Sequence, residues 1–191
     1  MKLTSRFNDA FEFAAVRHAG HVRKGTNIPY IAHLLGVASI ALEYGANEDE
    51  AIAALLHDAV EDQKATLQEI RDRFGAAVAG IVAGCSDTDV EPKPDWRPRK
   101  EAYVAHIPTA SPSVQLVSAA DKLHNARAIL RDYRDVGEAL WGRFNGGRDG
   151  TLWYYRALVE AFRAAGSMPL VEELDRVVSE LEAVTSGRAQ A

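Results

Sequence analysis

No stretch of this 191-residue chain alternates apolar and polar residues as a half-buried strand does. Apolar residues instead recur every three or four positions almost throughout. That period confines the chain to helices, and helices with one apolar stripe must bury it against other helices. Phe7, Ala10, Phe11, Ala14 and His18 mark one face of a first helix. Tyr30 leads into a second, with Ile31, Leu34, Leu35, Ala38 and Leu42 inward and Gly45 as its stop. Asn47 and Glu50 form a capping pair for a third, Thr66 and Glu69 for a fourth that ends at Gly75, and Val78, Ile81 and Val82 belong to a fifth. The segment Ser86 to Pro98, rich in Pro and Asp, reads as a loop that hands Arg97, Arg99 and Lys100 to a short helix ending near Ile107. Ser113 is a cap for a long helix through VQLVSAADKLHNARAILRDY. A short helix around Glu138 to Phe144 precedes NGGRDG, read as a break, and two amphipathic helices complete the fold. The expectation is an all-α, single helical bundle of about eight to ten helices over residues 1–186, with 187–191 a frayed tail.

Composition narrows the function. A formal charge of −5 argues against a general nucleic-acid coat, which needs a basic surface. It leaves room for a local basic pocket that takes a small anion. Cys85 is the one cysteine, so no internal disulfide can form. Neither a signal-peptide segment nor a run of about 20 apolar residues is present, and a soluble cytoplasmic protein is expected.

The stretch AIAALLHDAVED, Ala51 to Asp62, carries the chemistry. It starts as a buried apolar run and is read as one helix that also holds His57, Asp58, Glu61 and Asp62. His57 then lies over Glu61 and Asp58 over Asp62. Ionisable groups at the end of a buried helix need a partner, because desolvating a charge costs several kcal/mol. A bound cation would supply one; ordinary polar residues on a surfacing helix are the plainer alternative. His33, in PYIAHLLGVA, and Asp121, in VSAADKLHNAR, are also set among apolar residues. Each alone fits a core histidine or a paired aspartate. Together they give three helices, each with a metal-capable residue beside an apolar run. Two imidazoles and two carboxylates suit Mn²⁺, Fe²⁺ or Zn²⁺ more than Ca²⁺ or Mg²⁺. A structural zinc site would normally use cysteine.

The order His33, His57–Asp58, Asp121 resembles the HD-domain metal phosphohydrolases. Three longer segments narrow the resemblance: RKGTNIPYIAH from Arg23 to His33, LLHDAVED from Leu55 to Asp62, and ADKLHNAR from Ala120 to Arg127. All three resemble the hydrolase domain of the Rel/Spo alarmone enzymes, above all its stand-alone form, the small alarmone hydrolases. The match runs over roughly residues 5 to 165.

The resemblance implies an all-α HD bundle and Mn²⁺-dependent removal of pyrophosphate from the 3′ position of (p)ppGpp, giving GDP or GTP. It implies His33, His57, Asp58 and Asp121 as metal ligands, and Glu61 and Asp62 as the acidic pair that positions and activates the attacking water. Arg23 matches the arginine that stacks on the base, with Lys24 beside it, and Lys122 and Asn125 match positions near the nucleoside and phosphates. Lys100, with Arg97, Arg99 and Arg127, could supply counter-charge; solvated surface is the alternative for Arg97 and Arg99. His18, His21, His106 and His124 match no ligand position. A structural role is expected for His18 and His106, and His124 is a candidate to orient a ligand. Trp141, Trp153, Tyr154 and Tyr155 read as core aromatics, with a lid over the nucleotide as the alternative. NGGRDG is an alternative mobile loop near the site.

Two departures from the family pattern bear on this reading. Leu34 follows His33 where many relatives have proline, and Ala128 stands where the long enzymes often carry threonine near the nucleoside. A (p)ppApp hydrolase is therefore an alternative, as are an HD enzyme acting on another nucleotide and a non-catalytic nucleotide sensor. The expected partner is a small-molecule nucleotide, with no nucleic acid and no membrane. The chain is expected to be a monomer or a homodimer, since the last helix has apolar positions to pack on a partner.

Overall fold

The computed structural model describes residues 2–87, 94–166 and 168–187. Among these the protein is all-α. The helices are α1 (Ser5–Arg17), α2 (Ile31–Glu43), α3 (Glu48–Leu56), α4 (Ala59–Gln63), α5 (Leu67–Phe74), α6 (Ala76–Cys85), α7 (Trp96–His106), α8 (Pro112–Val136), α9 (Gly147–Ala165) and α10 (Pro169–Thr185). Two 3-10 segments, Ile107–Thr109 and Gly137–Arg143, join them. The chain folds into two compact units, one of residues 1–93 and 110–121, the other of 94–109 and 122–191, and α8 contributes to both.

In the first unit α3 is central. Ala51 to Leu56 are each fully buried, so this end of the helix is enclosed on every side. It packs against α1, α2 and α6. Its start is a complete capping box: the Glu50 N–H donates to Asn47 Oδ1 (3.1 Å) and the Asn47 N–H donates to Glu50 Oε2 (2.7 Å). Glu50 also accepts from Ser113 Oγ at 2.7 Å, tying the start of α8 to the start of α3. Gly45, at φ +89°, closes α2 with its N–H on Leu42 O, while the Ala46 N–H reaches back to Ala41 O.

Four readings of the sequence are corrected here. The stretch from Ala51 to Asp62 is two helices, α3 and α4, interrupted at His57 and Asp58. The inner face of α1 is Ala10, Phe13 and Ala14, while Phe11 is exposed; Phe13 packs edge-on against Phe74 of α5. On α2 the buried face is His33, Leu34, Val37, Ala38, Ile40 and Ala41, and Leu35 is exposed. The cap of α8 is Ser111, whose Oγ accepts from the Val114 N–H (3.3 Å). Pro112 occupies the first helical position, where its missing N–H costs nothing, and Ser113 is already inside the helix.

In the second unit α9 packs against α7 and α10. Leu158, Val159 and Phe162 of α9 and Leu170, Leu174, Val178 and Leu181 of α10 are buried, as the periodicity predicts. Arg156 bridges the pair, donating to Asp175 and Glu182. NGGRDG is not a simple break: α9 starts at Gly147, within it. Its glycines make room for Trp96 of α7, because a Cβ on Gly146 would lie 2.6 Å from Trp96 Cη2 and one on Gly150 3.1 Å away. Pro98, assigned to a loop above, lies in the first turns of α7. Residues 88–93 of that loop and 188–191 of the tail lie outside the described residues.

Candidate metal centre

The loop before α2 closes on itself. Val22 and Pro29 form an antiparallel bridge, the Arg23 N–H donates to Ile28 O (2.9 Å), and Gly25 takes the turn at φ +73°. The Tyr30 N–H then donates to His21 O (2.9 Å), and α2 begins at Ile31. This sets His33 in the first turn of α2, where only 1 % of it is exposed.

His57 and Asp58 follow the last buried turn of α3. Residues adjacent in a regular helix point in directions about 100° apart and do not face a common point. Asp58, at φ −97° and ψ −2°, departs from helical geometry, and α4 starts after it. The His57 ring donates its Nδ1–H back to the carbonyl of Ala54 (2.8 Å), so Nε2 is the ring nitrogen turned to the site. Asp121 arrives from the middle of α8, buried among Val117, Ala119, Ala120 and Leu123.

These four side chains meet. His57 Nε2 lies 3.1 Å from Asp58 Oδ2 and 3.6 Å from Asp121 Oδ1. His33 Nε2 lies 3.5 Å from Asp58 Oδ2 and 3.3 Å from Asp121 Oδ1. Ligand atoms of His33, His57 and Asp58 all fall within 4.8 Å of one another. Burial alone would drive the proton off His57, but the Asp58 and Asp121 carboxylates outweigh it and hold the imidazole well above its ordinary pKa. Burial likewise opposes the charge on Asp58, yet His57 and His33 keep its carboxyl well below the carboxylate range. The site thus favours positive charge at its centre, whether a proton or a metal ion. His57 Nε2 is buried and turned towards both carboxylates. Two imidazole nitrogens and two carboxylates, drawn from three separate segments, fit a divalent transition-metal cation.

Glu61, half-buried, and Asp62, exposed, lie on α4 directly after the break, and the Asp62 N–H donates to Asp58 O at 2.9 Å. Lys24 is exposed near the tip of the loop, and the Arg23 guanidinium sits 5.8 Å from the centre of the Tyr30 ring. In the second unit, Lys100 Nζ lies 5.0 Å over the Tyr154 ring and Lys122 Nζ 5.0 Å over Tyr103. Asn125 is half-buried on α8, one turn after Asp121. Arg97 stacks 3.4 Å over Trp153 and pairs with Glu101, while Arg127 pairs with Glu173. Trp141, Tyr154 and Tyr155 are buried, and Trp153 is half-buried. His18 is buried, and His106 is exposed on the last turn of α7.

The reading of the sequence passed over Tyr30. Its hydroxyl donates to Asp58 Oδ2 at 2.6 Å, and its ring lies parallel to those of His18 and His21. The available signal was an aromatic residue with a polar tip three positions before a buried histidine.

Fold and site together define an all-helical protein built around a divalent-cation centre of HD type. The profile of the HD domain family matches residues 10–152, and the chain belongs to that family. It is 42 % identical over 126 residues to the guanosine-3′,5′-bis(diphosphate) 3′-pyrophosphohydrolase MESH1 of Xenopus tropicalis, covering 64 % of this chain and 69 % of that one. The Homo sapiens protein of the same name is 40 % identical over the same length, again with 64 % and 69 % covered. Among solved structures, one described as "a metazoan ortholog of SpoT hydrolyzes ppGpp and plays a role in starvation responses" superposes with a TM-score of 0.81. It covers 95 % of this chain and 98 % of that one at 25 % identity. No helix among the described residues is long and apolar enough to cross a membrane.

Proposed function

We propose that this protein is a metal-dependent (p)ppGpp 3′-pyrophosphohydrolase. The observation that carries the reading is the convergence of His33, His57, Asp58 and Asp121 on one point in a chain 40–42 % identical to proteins named for this reaction. These four side chains hold the cation, and Mn²⁺ fits the mixed nitrogen and oxygen donors. When bound, the cation makes a water molecule more acidic and offsets charge on the phosphates.

The protein's own groups do the rest. Glu61 and Asp62, on the helix that leaves the centre, orient the attacking water and take its proton. Water adds to the phosphorus, the ester bond to the 3′ position breaks, pyrophosphate departs, and the nucleoside 3′ oxygen is protonated to give GDP or GTP. Arg23 offers a flat guanidinium to the base, with Lys24 beside it. Lys100, Lys122 and Asn125 contact the sugar and phosphates of the substrate. Residues 1–186 act as one catalytic domain in the cytoplasm, as a monomer or a homodimer. Ala128, in place of a threonine, makes (p)ppApp the alternative substrate.

The test is a chromatographic assay of purified protein with ppGpp and ppApp in parallel, with Mn²⁺ and with a chelator. Release of pyrophosphate and nucleoside diphosphate only with metal is the expected result, and the ratio of rates identifies the preferred base. No turnover of either nucleotide with metal supplied overturns the reading in favour of another nucleotide or of a sensor.

A further inference from the structure

We infer that Tyr30 is a positioning residue for the metal centre, and that His18 and His21 form a platform that fixes it. The inference rests on the reading of Asp58 as a metal ligand. Tyr30 donates to Asp58 Oδ2 at 2.6 Å. That oxygen is the one that faces both Nε2 atoms of the site, at 3.1 Å from His57 and 3.5 Å from His33. A carboxylate can rotate about its last bond and offer either oxygen. A donor on one oxygen selects the rotamer and so sets which lone pairs face the centre.

A phenol on a loop-to-helix junction orients a ligand only if its ring is held. The ring of Tyr30 lies 4.0 Å from that of His21, tilted by 10°, and 5.0 Å from that of His18, tilted by 7°. The two imidazoles are themselves nearly coplanar in direction, 16° apart, with Nδ1 atoms 3.1 Å from each other. Joined by that N–H···N bond, they present one extended aromatic surface under the phenol ring. Gln63, the last residue of α4, adds its amide to His21 Nδ1 at 3.1 Å. With the Gln63 amide and the His18 Nδ1–H as donors, His21 Nδ1 shares its one lone pair between them. The platform therefore joins the end of α1, the basic loop, the start of α2 and the end of α4. None of His18, His21 and Gln63 is among the four side chains assigned to the cation.

The experiment measures Mn²⁺ affinity by calorimetry, which needs no turnover, on metal-stripped wild type and four variants. Asp58→Ala tests the underlying reading, Tyr30→Phe keeps the ring and removes the donor, His21→Ala removes the platform, and the last combines Tyr30→Phe with His21→Ala. The expected result is loss of Mn²⁺ binding in Asp58→Ala and a weakening of about tenfold or more in Tyr30→Phe. The melting temperature of metal-free Tyr30→Phe should stay close to wild type. His21→Ala should weaken Mn²⁺ binding too, and the double variant should bind as Tyr30→Phe does, because His21 acts through the hydroxyl. If Asp58→Ala keeps full affinity, both the ligand reading and this inference fall. If Asp58→Ala loses the metal while Tyr30→Phe binds within twofold of wild type, the inference alone is wrong. Additive losses in the double variant overturn the platform and leave His21 with a separate effect. Should His21→Ala not fold, His21→Phe, which keeps the ring and loses both hydrogen bonds, takes its place with the same expectations.

Discussion

His57 Nε2 and Asp58 Oδ2 lie 3.1 Å apart although the two residues are neighbours in the chain. A continuous helix would separate them by more than a quarter turn. The interruption between α3 and α4 is thus what lets one short segment deliver both an imidazole and a carboxylate to the same point. The Ala54 carbonyl, at the end of α3, accepts from the His57 ring, so the break also consumes a backbone acceptor that the helix terminus would otherwise leave unused.

Asp58→Ala should abolish stoichiometric metal in the purified protein, measured by elemental analysis. It should also erase the stabilisation on adding Mn²⁺, expected in the wild type to be about 2.7 kcal/mol when free metal is 100 times its Kd and read as a rise in melting temperature.

Glu61→Gln combined with Asp62→Asn should leave metal content unchanged and reduce turnover by about a hundredfold or more, the range lost with a general base. Both groups lie on α4, beyond the four converging side chains. Loss of metal in this variant would assign them to the ligand set instead.

Stability should fall with acid through His18. Burial, opposed by the Asp58 charge and reinforced by the neighbouring His21, lowers its pKa from 6.5 to about 4. The unfolded chain takes up this proton below about 6.5 and the folded chain only below about 4. The unfolded state therefore holds more protons between those values. The contribution is complete above 6.5, declines as pH drops towards 4, and then levels off. Its size is on the order of 2 kcal/mol, or about 5 °C in melting temperature for a chain of this length. Thermal melts of the chelated protein at half-unit steps of pH should show this slope, and His18→Gln should flatten it.

Gly146→Ala should destabilise the protein by about 1–3 kcal/mol, the usual cost of overpacking. The cause is steric: Gly146 has φ −80°, which alanine adopts freely, but its Cβ would meet the Trp96 ring at 2.6 Å. A second change, Trp96→Leu, should cost less in the Gly146→Ala background than in the wild type, measured by urea denaturation.

Much of the helical plan was legible because its signals are local. The Asn47–Glu50 box and the Gly45 stop depend on residues within one turn of each other, and both form. The metal-capable residues stood out because a charge among alanines and leucines has no cheap explanation, as at Asp121. What escaped depends on long-range contacts. Phe11 and Phe13 are equally apolar, and the Phe74 ring against Phe13 decides which is inside. Ser111 and Ser113 are equally good caps, and Glu50, sixty-three positions away, claims the second. Tyr30 stands out in the sequence only as an aromatic with a polar tip near His33; its bond to Asp58 depends on how the loop from His21 folds back. The break at His57 and Asp58 leaves no mark in the periodicity, since Ala59 beyond it is as buried as Leu56 before it.

Trp96 has one more implication. Asp95, at the start of α7, makes no side-chain capping bond. The indole seated on Gly146 and Gly150 takes over that anchoring. The placement of Arg97, Arg99 and Lys100 is therefore written roughly fifty residues downstream of them, in two positions that carry no charge and no side chain. Variation at those glycines would move a row of cations without altering a single one, so the positive charge along α7 can be shifted from a site that looks chemically silent.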